Sequence, residues 1–191
     1  VRAGSRWPHL EKETERYMPF PFFLAYACAV LEENGYFPRM VDAIAERLSP
    51  EAFYHKIEKS DPELIILEVS TPSFPTDLIM VKEIRERLGK GVKIGLCGPN
   101  HLMTNVDFLQ GNPAVDYVLK GEYEFTLLEL VQAIDKNQDL KHVAGLIYRD
   151  SQGVVNENDN RELHKSIDEI PWPSRHQLPM MTYYDETGSI V

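Results

Sequence analysis

Cysteine is scarce in this 191-residue chain, which carries two, Cys28 and Cys97. They form neither a Cys-x-x-Cys unit nor a disulfide framework, so no thiolate metal site is expected and a reducing, cytoplasmic setting suits the chain. Long apolar runs are missing too. None approaches the roughly 20 residues that span a bilayer, and no basic-then-apolar leader opens the sequence, so no membrane partner is expected. Positive charge is in deficit: 20 Lys and Arg against 30 Asp and Glu leave a formal net charge of −10. A phosphate backbone asks for the opposite sign, so no nucleic-acid partner is expected either. Neither Gly-x-Gly-x-x-Gly nor Gly-x-x-x-x-Gly-Lys-Ser/Thr occurs, which removes the dinucleotide and triphosphate cradles. Internal repeats and low-complexity tracts are absent as well.

What remains is a sequence, 43% hydrophobic, in which helix and strand patterns alternate. From Phe22, the residues Phe23, Ala27, Val30 and Leu31 recur at three- and four-residue steps, and Gly35 follows as a stop. A short strand is expected over 39–44. Ser49 before Pro50 is a capped helix start, with Phe53 and Ile57 turned inward and an end near Lys59. Leu64 to Val69 is apolar without alternation, as a strand covered on both faces is. The loop 70–76 ends on Thr76, a candidate cap for a helix striped by Leu78, Val81, Ile84 and Leu88 and closed by Gly89. Strands at 92–97 and 115–119, a short helix at 106–110 and an amphipathic helix at 125–134 continue the series. Residues 146–155, turning at Asp150-Ser151-Gln152-Gly153, read as a β-hairpin. The expected fold is α/β, a Rossmann-like doubly wound parallel sheet with a C-terminal β-hairpin and linker. Phe20, Phe22, Phe23 and Tyr26 are expected in the core, and both cysteines as small buried residues.

In an open α/β sheet, ligands bind beyond the carboxyl ends of the strands. Three loops lie there: Ser70-Thr71-Pro72, Gly98-Pro99-Asn100-His101 and Gly121-Glu122-Tyr123. Each residue taken singly is what a strand-to-helix turn needs for its own geometry. Three such loops along one edge point to a site. His101 stands just past a strand end, where it can hydrogen-bond a ligand, whereas the other histidines are scattered and form no metal-ligand spacing. Glu122 and Glu124 precede a helix and complement its N-terminus. Glu68 is out of keeping with its apolar strand.

Taken in order, the segments resemble the N-terminal cobalamin-binding domain of radical S-adenosylmethionine enzymes. The pieces that carry the likeness are Phe23-Leu24-Ala25-Tyr26-Ala27-Cys28-Ala29-Val30-Leu31-Glu32-Glu33-Asn34-Gly35, Val41-Asp42-Ala43, Asp61-Pro62-Glu63-Leu64-Ile65, Gly98-Pro99-Asn100-His101, Val115 to Glu124 and Ala144 to Arg149. Ile167 to Arg175 looks like the family's connector into a catalytic barrel. The resemblance implies a domain that holds cobalamin against the C-terminal edge of its sheet, with Ser70, Thr71, Pro72, Gly98, Pro99, Asn100, His101, Gly121, Glu122 and Tyr123 as its contacts and Glu124 closing the third loop. It implies a cobalamin-binding module over residues 1–140, and a hairpin and connector over 141–191 leading to a barrel outside this sequence. The 4Fe-4S cluster and S-adenosylmethionine would belong to that barrel of the parent chain.

The sequence also departs from the family. The family's first strand is expected upstream of Val1, which is not a Met. The Asp-x-His-x-x-Gly motif, whose His ligates cobalt, is missing, so no protein histidine is expected on the metal. Gly98-Pro99 replaces a common double glycine, and Tyr123 stands where a third glycine often occurs. The Cys-x-x-x-Cys-x-x-Cys motif does not occur, so this segment alone is not expected to cleave S-adenosylmethionine. Arg6 and Trp7, in the first loop, are candidate contacts to the corrin. One rival reading keeps the fold as a docking or substrate-recognition element without cobalamin, favoured by the space that Pro99 and Tyr123 fill. A receiver-like signalling domain ranks last, because Asp42 and Asp77 do not build its acidic cluster.

Overall fold

Strand residues alternate between two cores, and that alternation sets the layers. In the computed structural model, which describes residues 18–184, five strands form one sheet in the order β1-β2-β3-β4-β5. These are β1 (Leu64–Glu68), β2 (Lys93–Cys97), β3 (Tyr117–Leu119), β4 (Leu146–Arg149) and β5 (Val155–Glu157). β1, β2 and β3 are parallel, with Glu68 opposite Cys97 and Leu96 opposite Val118. β4 returns antiparallel to β3 and β5 antiparallel to β4. The expected C-terminal hairpin therefore extends the same sheet, adding two antiparallel strands to its parallel part.

Ile65, Leu67, Ile94, Leu96, Val118 and Ile147 face one core, shared with α2 (Pro50–Ser60), α3 (Phe74–Leu88) and α4 (Val106–Gly111). Tyr117, Leu119, Leu146 and Tyr148 face the other, shared with α1 (Phe22–Glu33) and α5 (Glu124–Asp135). Leu67, Ile94 and Leu96 are fully buried, each worth roughly 1.5–3 kcal/mol relative to exposure. Helices on both faces of the sheet give the doubly wound α/β fold that the alternation implied.

Local chemistry fixes the helix ends. Ser49 Oγ accepts from the Ala52 N–H at 3.2 Å, with Pro50 opening α2. Asn105 Oδ1 accepts from the Phe108 N–H at 2.8 Å and opens α4. α3 starts three residues earlier than expected, after Ser73 instead of Thr76. Its Arg85 reaches over the sheet edge, giving hydrogen bonds to Ala114 O and Val92 O and pairing with Asp116.

α1 is apolar nearly all round because it is covered twice. One side packs on the sheet and α5, and a strap formed by residues 174–184 crosses the other. Ser174 N donates to Ala25 O at 3.0 Å. Gln177 Nε2 donates to Pro38 O and Gln177 Oε1 accepts from Met40 N, both at 2.9 Å. Gln177 Nε2 also lies 3.2 Å from Glu32 Oε1 and donates to it.

Two expectations fail here. Residues 39–44 form no strand: a turn runs through 43–47, pinned by Asp42 Oδ1, which accepts from Ile44 N and Ala45 N. Phe20 is buried as expected, but Phe22 and Phe23 are 40% and 47% exposed. Both cysteines are buried and free, as anticipated. Residues 1–17, with Arg6 and Trp7, and residues 185–191 lie outside the described residues.

Candidate functional site

Parallel register brings three loop origins to one rim. Glu68 ends β1 opposite Cys97 at the end of β2, and the Val69 N–H donates to Cys97 O at 2.8 Å. β3 ends one strand further on, at Leu119. The loops beginning at Val69, Gly98 and Lys120 therefore leave side by side, and all ten sequence-predicted site residues fall in them.

Gly98 is held by a close approach. Its φ is +108°, and a Cβ there would lie 2.4 Å from Val69 O, so a side chain at this position would push the first two loops apart. Asn100 follows. Its N–H donates to Gly98 O at 2.8 Å and its Oδ1 accepts from Leu102 N at 2.9 Å, which starts the turn over 101–103. Its Nδ2 is buried without a hydrogen-bond partner. An orphaned buried donor costs about 1–3 kcal/mol, so this amide stands ready for an acceptor.

Tyr123, at the third loop, is 2% exposed, and its hydroxyl lies against the Cys97 thiol. Burial drives its acidity far down, that is, its pKa well above the ordinary tyrosine value, helped by the charges of Cys97 and Glu68. Cys97 Sγ donates weakly to Leu67 O at 3.6 Å, and burial, then Glu68, raises its pKa well above that of an ordinary thiol. Glu124 opens α5 almost fully buried; burial, with Glu122 adding, raises its carboxyl pKa.

In the first loop, Ser70 is buried and Thr71 and Pro72 are exposed. Ser73 Oγ lies 2.9 Å from Ser70 Oγ and donates to Asp77 Oδ2 at 2.6 Å. Asp77 is completely buried, and its Oδ1 has no hydrogen-bond partner. Burial pushes its carboxyl up to about 6, against the pull of the Ser73 hydroxyl and the Ser70 N–H. Sequence reasoning passed over Asp77 as a site residue. The signal was available: Asp77 stands four residues before Val81 and seven before Ile84, on the inward stripe of α3.

The ten residues thus divide. Pro99, His101, Gly121 and Glu122 are exposed with Thr71 and Pro72, Gly98 is half-buried, and Ser70, Asn100 and Tyr123 lie beneath them. A further opening lies away from the rim. A mainly apolar cleft of about 630 Å³ runs beside β1, between α1, α2 and the 36–41 segment. Cys28 lines it, with its thiol raised to about 11 by burial and by Glu32. Among the described residues no group of three His, Cys, Asp or Glu side chains is arranged to hold a metal ion, and no helix is long and apolar enough to cross a membrane.

In a layered, open α/β sheet the C-terminal rim, which here carries glycine- and asparagine-bearing loops, is where ligands bind. No family model matches the chain. It is 32% identical over 163 residues, 85% of its length, to the uncharacterized methyltransferase PH0819 of Pyrococcus horikoshii, of which it covers 35%. It is 25% identical over 139 residues to the anaerobic magnesium-protoporphyrin IX monomethyl ester cyclase of Cereibacter sphaeroides, covering 71% of this chain and 22% of that one. The chain thus spans about a third or less of these curated relatives.

Among solved structures, the radical S-adenosylmethionine methyltransferase TsrM of Kitasatospora setae, with cobalamin and a 4Fe-4S cluster bound, aligns with a TM-score of 0.63 at 20% identity, over 81% of this chain and 29% of that one. The cobalamin-dependent S-adenosylmethionine radical enzyme OxsB, with aqua-cobalamin and S-adenosylmethionine bound, aligns at 0.68 and 18% identity, over 83% and 22%. The resemblance carried by the sequence is borne out: the chain shares its fold with part of cobalamin-dependent radical enzymes.

One feature of the rim suits a cobalamin nucleotide tail: Asn100 offers an unused buried donor. Tyr123 acts the other way, since its buried ring occupies the third loop.

Proposed function

We propose that this chain is a cobalamin-binding module that presents the cofactor to a radical S-adenosylmethionine barrel carried elsewhere in the parent protein. The observation that carries the reading is the orphaned Nδ2 of Asn100, buried at the C-terminal rim of a fold shared with cobalamin-bearing structures. Cobalamin, when bound, supplies a cobalt centre for group transfer, and this chain's residues bind and orient it. Asn100 donates to an oxygen of the tail. Ser70 lies behind the first loop, Gly98 lets the first two loops pack closely, and Thr71, Pro72, Pro99, His101, Gly121 and Glu122 form the exposed lip. Tyr123 closes the far side. Cys28 and Cys97 stand on separate elements and cannot hold a cluster, so the 4Fe-4S cluster and S-adenosylmethionine belong to the rest of the parent chain. The free, buried thiols suit a cytoplasmic setting.

The same reading divides the chain into a cobalamin module over 1–140 and a hairpin and connector over 141–191. It also gives the cleft beside β1 an occupant, a further strand of the parent protein. At about 3.3 Å per residue, about 4.8 Å between strands and about 10 Å between layers, 630 Å³ holds about four residues of strand.

Reconstitution tests the module. Hydroxocobalamin mixed with the full chain is expected to co-elute with it and to give a shifted, red-brown absorption spectrum. A spectrum that stays that of the free cofactor, with nothing retained, overturns the reading. The buried Tyr123 ring and a cleft lying away from the rim favour one alternative, a docking or substrate-recognition domain without cobalamin. Calorimetry showing no cobalamin binding, together with retained contact to the catalytic domain, would select it.

A further inference from the structure

Apolar side chains exposed singly over a surface need no explanation, but several on segments fastened to one another do. Phe22 and Phe23, in the first turn of α1, are exposed, and so are Trp172 at 92% and Met181 at 69%, on the strap and its approach. Contacts tie these segments together. The Phe20 ring meets Tyr183 at 5.2 Å and Phe22 at 5.0 Å between centroids, both edge to face. A ladder of rings thus climbs from the fully buried Tyr183 to the surface at Phe22. The Arg175 guanidinium lies 4.6 Å over the Phe20 ring and 5.9 Å from the Phe22 centroid. One residue earlier, the Ser174 N–H donates to Ala25 O at 3.0 Å and fixes the strap against α1. Trp172 stands between Pro171 and Pro173, whose rings lock the φ angles on either side of it. A side chain carried by a stiff segment has less freedom to lose on docking. Aromatic rings with an arginine are also the groups that anchor protein interfaces.

We propose that Phe22, Phe23, Trp172 and Met181, with Arg175 beside them, form the surface on which the polypeptide following residue 191 in the parent protein docks. The inference rests on the reading of this chain as a module of a longer radical enzyme, and it says where the module is gripped. Two observations choose that occupant. The buried end of the ladder, Tyr183, is next in sequence to Tyr184, the last described residue, and residues 185–191 reach at most about 25 Å when fully extended. The chain covers 35% and 22% of the two curated relatives, so most of such a protein lies outside it. Four apolar side chains also fall well short of the roughly 20–30 residues a side that hold two free proteins together. A tethered partner is present at an effective concentration on the order of 1 mM, at which a small patch suffices. A second copy has no such advantage.

The test is site-specific photo-cross-linking in the full parent protein, with p-benzoylphenylalanine in place of Phe23, of Trp172 or, as a control on the hairpin, of Val154, which is exposed too. Positions 23 and 172 are expected to cross-link to peptides beyond residue 191 at least about tenfold more than position 154 does. Cross-links to residues 1–17 or 185–191, to a second copy, or only at the level of the control overturn the proposal. A Phe23→Ser/Trp172→Ser double variant of the same protein is expected to be cut by trypsin after residue 184 at least about fivefold faster than wild type, with the module itself left intact. Equal rates overturn the proposal as well. Hydroxocobalamin retention is read on every sample. Cross-links beyond residue 191 without bound cofactor uphold the surface and overturn the cobalamin reading, whereas bound cofactor without those cross-links removes the surface and leaves that reading standing.

Discussion

The hydroxyl of Tyr183 donates to Asp42 Oδ2 at 3.0 Å, across 141 positions of sequence, with both side chains fully buried. Asp42 Oδ1 holds the 43–47 turn at the same time, so the C-terminal strap is tied to that turn through one carboxylate. Tyr183→Phe removes the donor and keeps the ring. It is expected to cost about 1–3 kcal/mol, read from urea unfolding, because it strips a buried charged acceptor of a partner. A loss below about 0.3 kcal/mol would show that the strap does not hold the turn.

Asp77 makes stability depend on pH in an unusual direction. Its folded carboxyl, up to about 6, stands above the ordinary value of 3.8. The native state therefore holds this proton more tightly than the unfolded chain, and as pH falls from about 6 toward 4 this group adds stability. That contribution, on the order of 3 kcal/mol, is complete below pH 3.8 and is lost as pH rises through about 6. Urea unfolding between pH 4 and 7 should show Asp77→Asn losing that slope relative to wild type.

Gly98 and Gly121 separate crowding from strain. Both have positive φ, but a Cβ on Gly98 meets Val69 O at 2.4 Å, whereas a Cβ on Gly121 meets nothing within 4 Å. Gly121→Ala is expected to cost about 1 kcal/mol. Gly98→Ala should cost several times that in thermal unfolding, and it should weaken cobalamin binding because the first two rim loops part. Equal costs would contradict the close approach.

Arg85 clamps α3 to the entry of β3. Its side chain is 14% exposed and serves Asp116 and three backbone carbonyls, those of Gly89, Val92 and Ala114. Arg85→Met leaves Asp116 with Lys93 at 3.4 Å as its remaining ion-pair partner. The expected loss is about 3 kcal/mol, the lower end for breaking a buried pair. Arg85→Lys, which keeps the charge and loses the fork, should fall between, as judged by melting temperature.

Both thiols should be silent while the chain is folded. Burial raises Cys28 to about 11 and holds Cys97 well above the ordinary thiol value. At pH 7.5 iodoacetamide is expected to label neither until urea unfolds the protein. Prompt labelling of Cys97 would mean that the rim opens on the experimental timescale.

Much of this was legible in the residues, because periodicity survives wherever a helix or strand lies against the sheet. Leu64 to Val69 announced a strand covered on both faces, and Ser49-Pro50 announced a helix start. The 39–44 segment was misread because its backbone partners come from afar: Gln177 takes Pro38 O and Met40 N, and no local pattern encodes that. Phe22 and Phe23 misled for a related reason, since a helix covered on two sides still shows a face at its first turn. At the rim, small residues marked the three loops. Asp77 stayed hidden because an acid in a helix's first turn ordinarily serves the helix terminus in water, and only the packing above it reveals that water is excluded.

Met18 and Tyr184 exchange two backbone hydrogen bonds of 3.0 Å each, so the first and last described residues are clasped side by side. A mechanical load applied through those two points peels apart that single bridge before it can shear the five-stranded sheet.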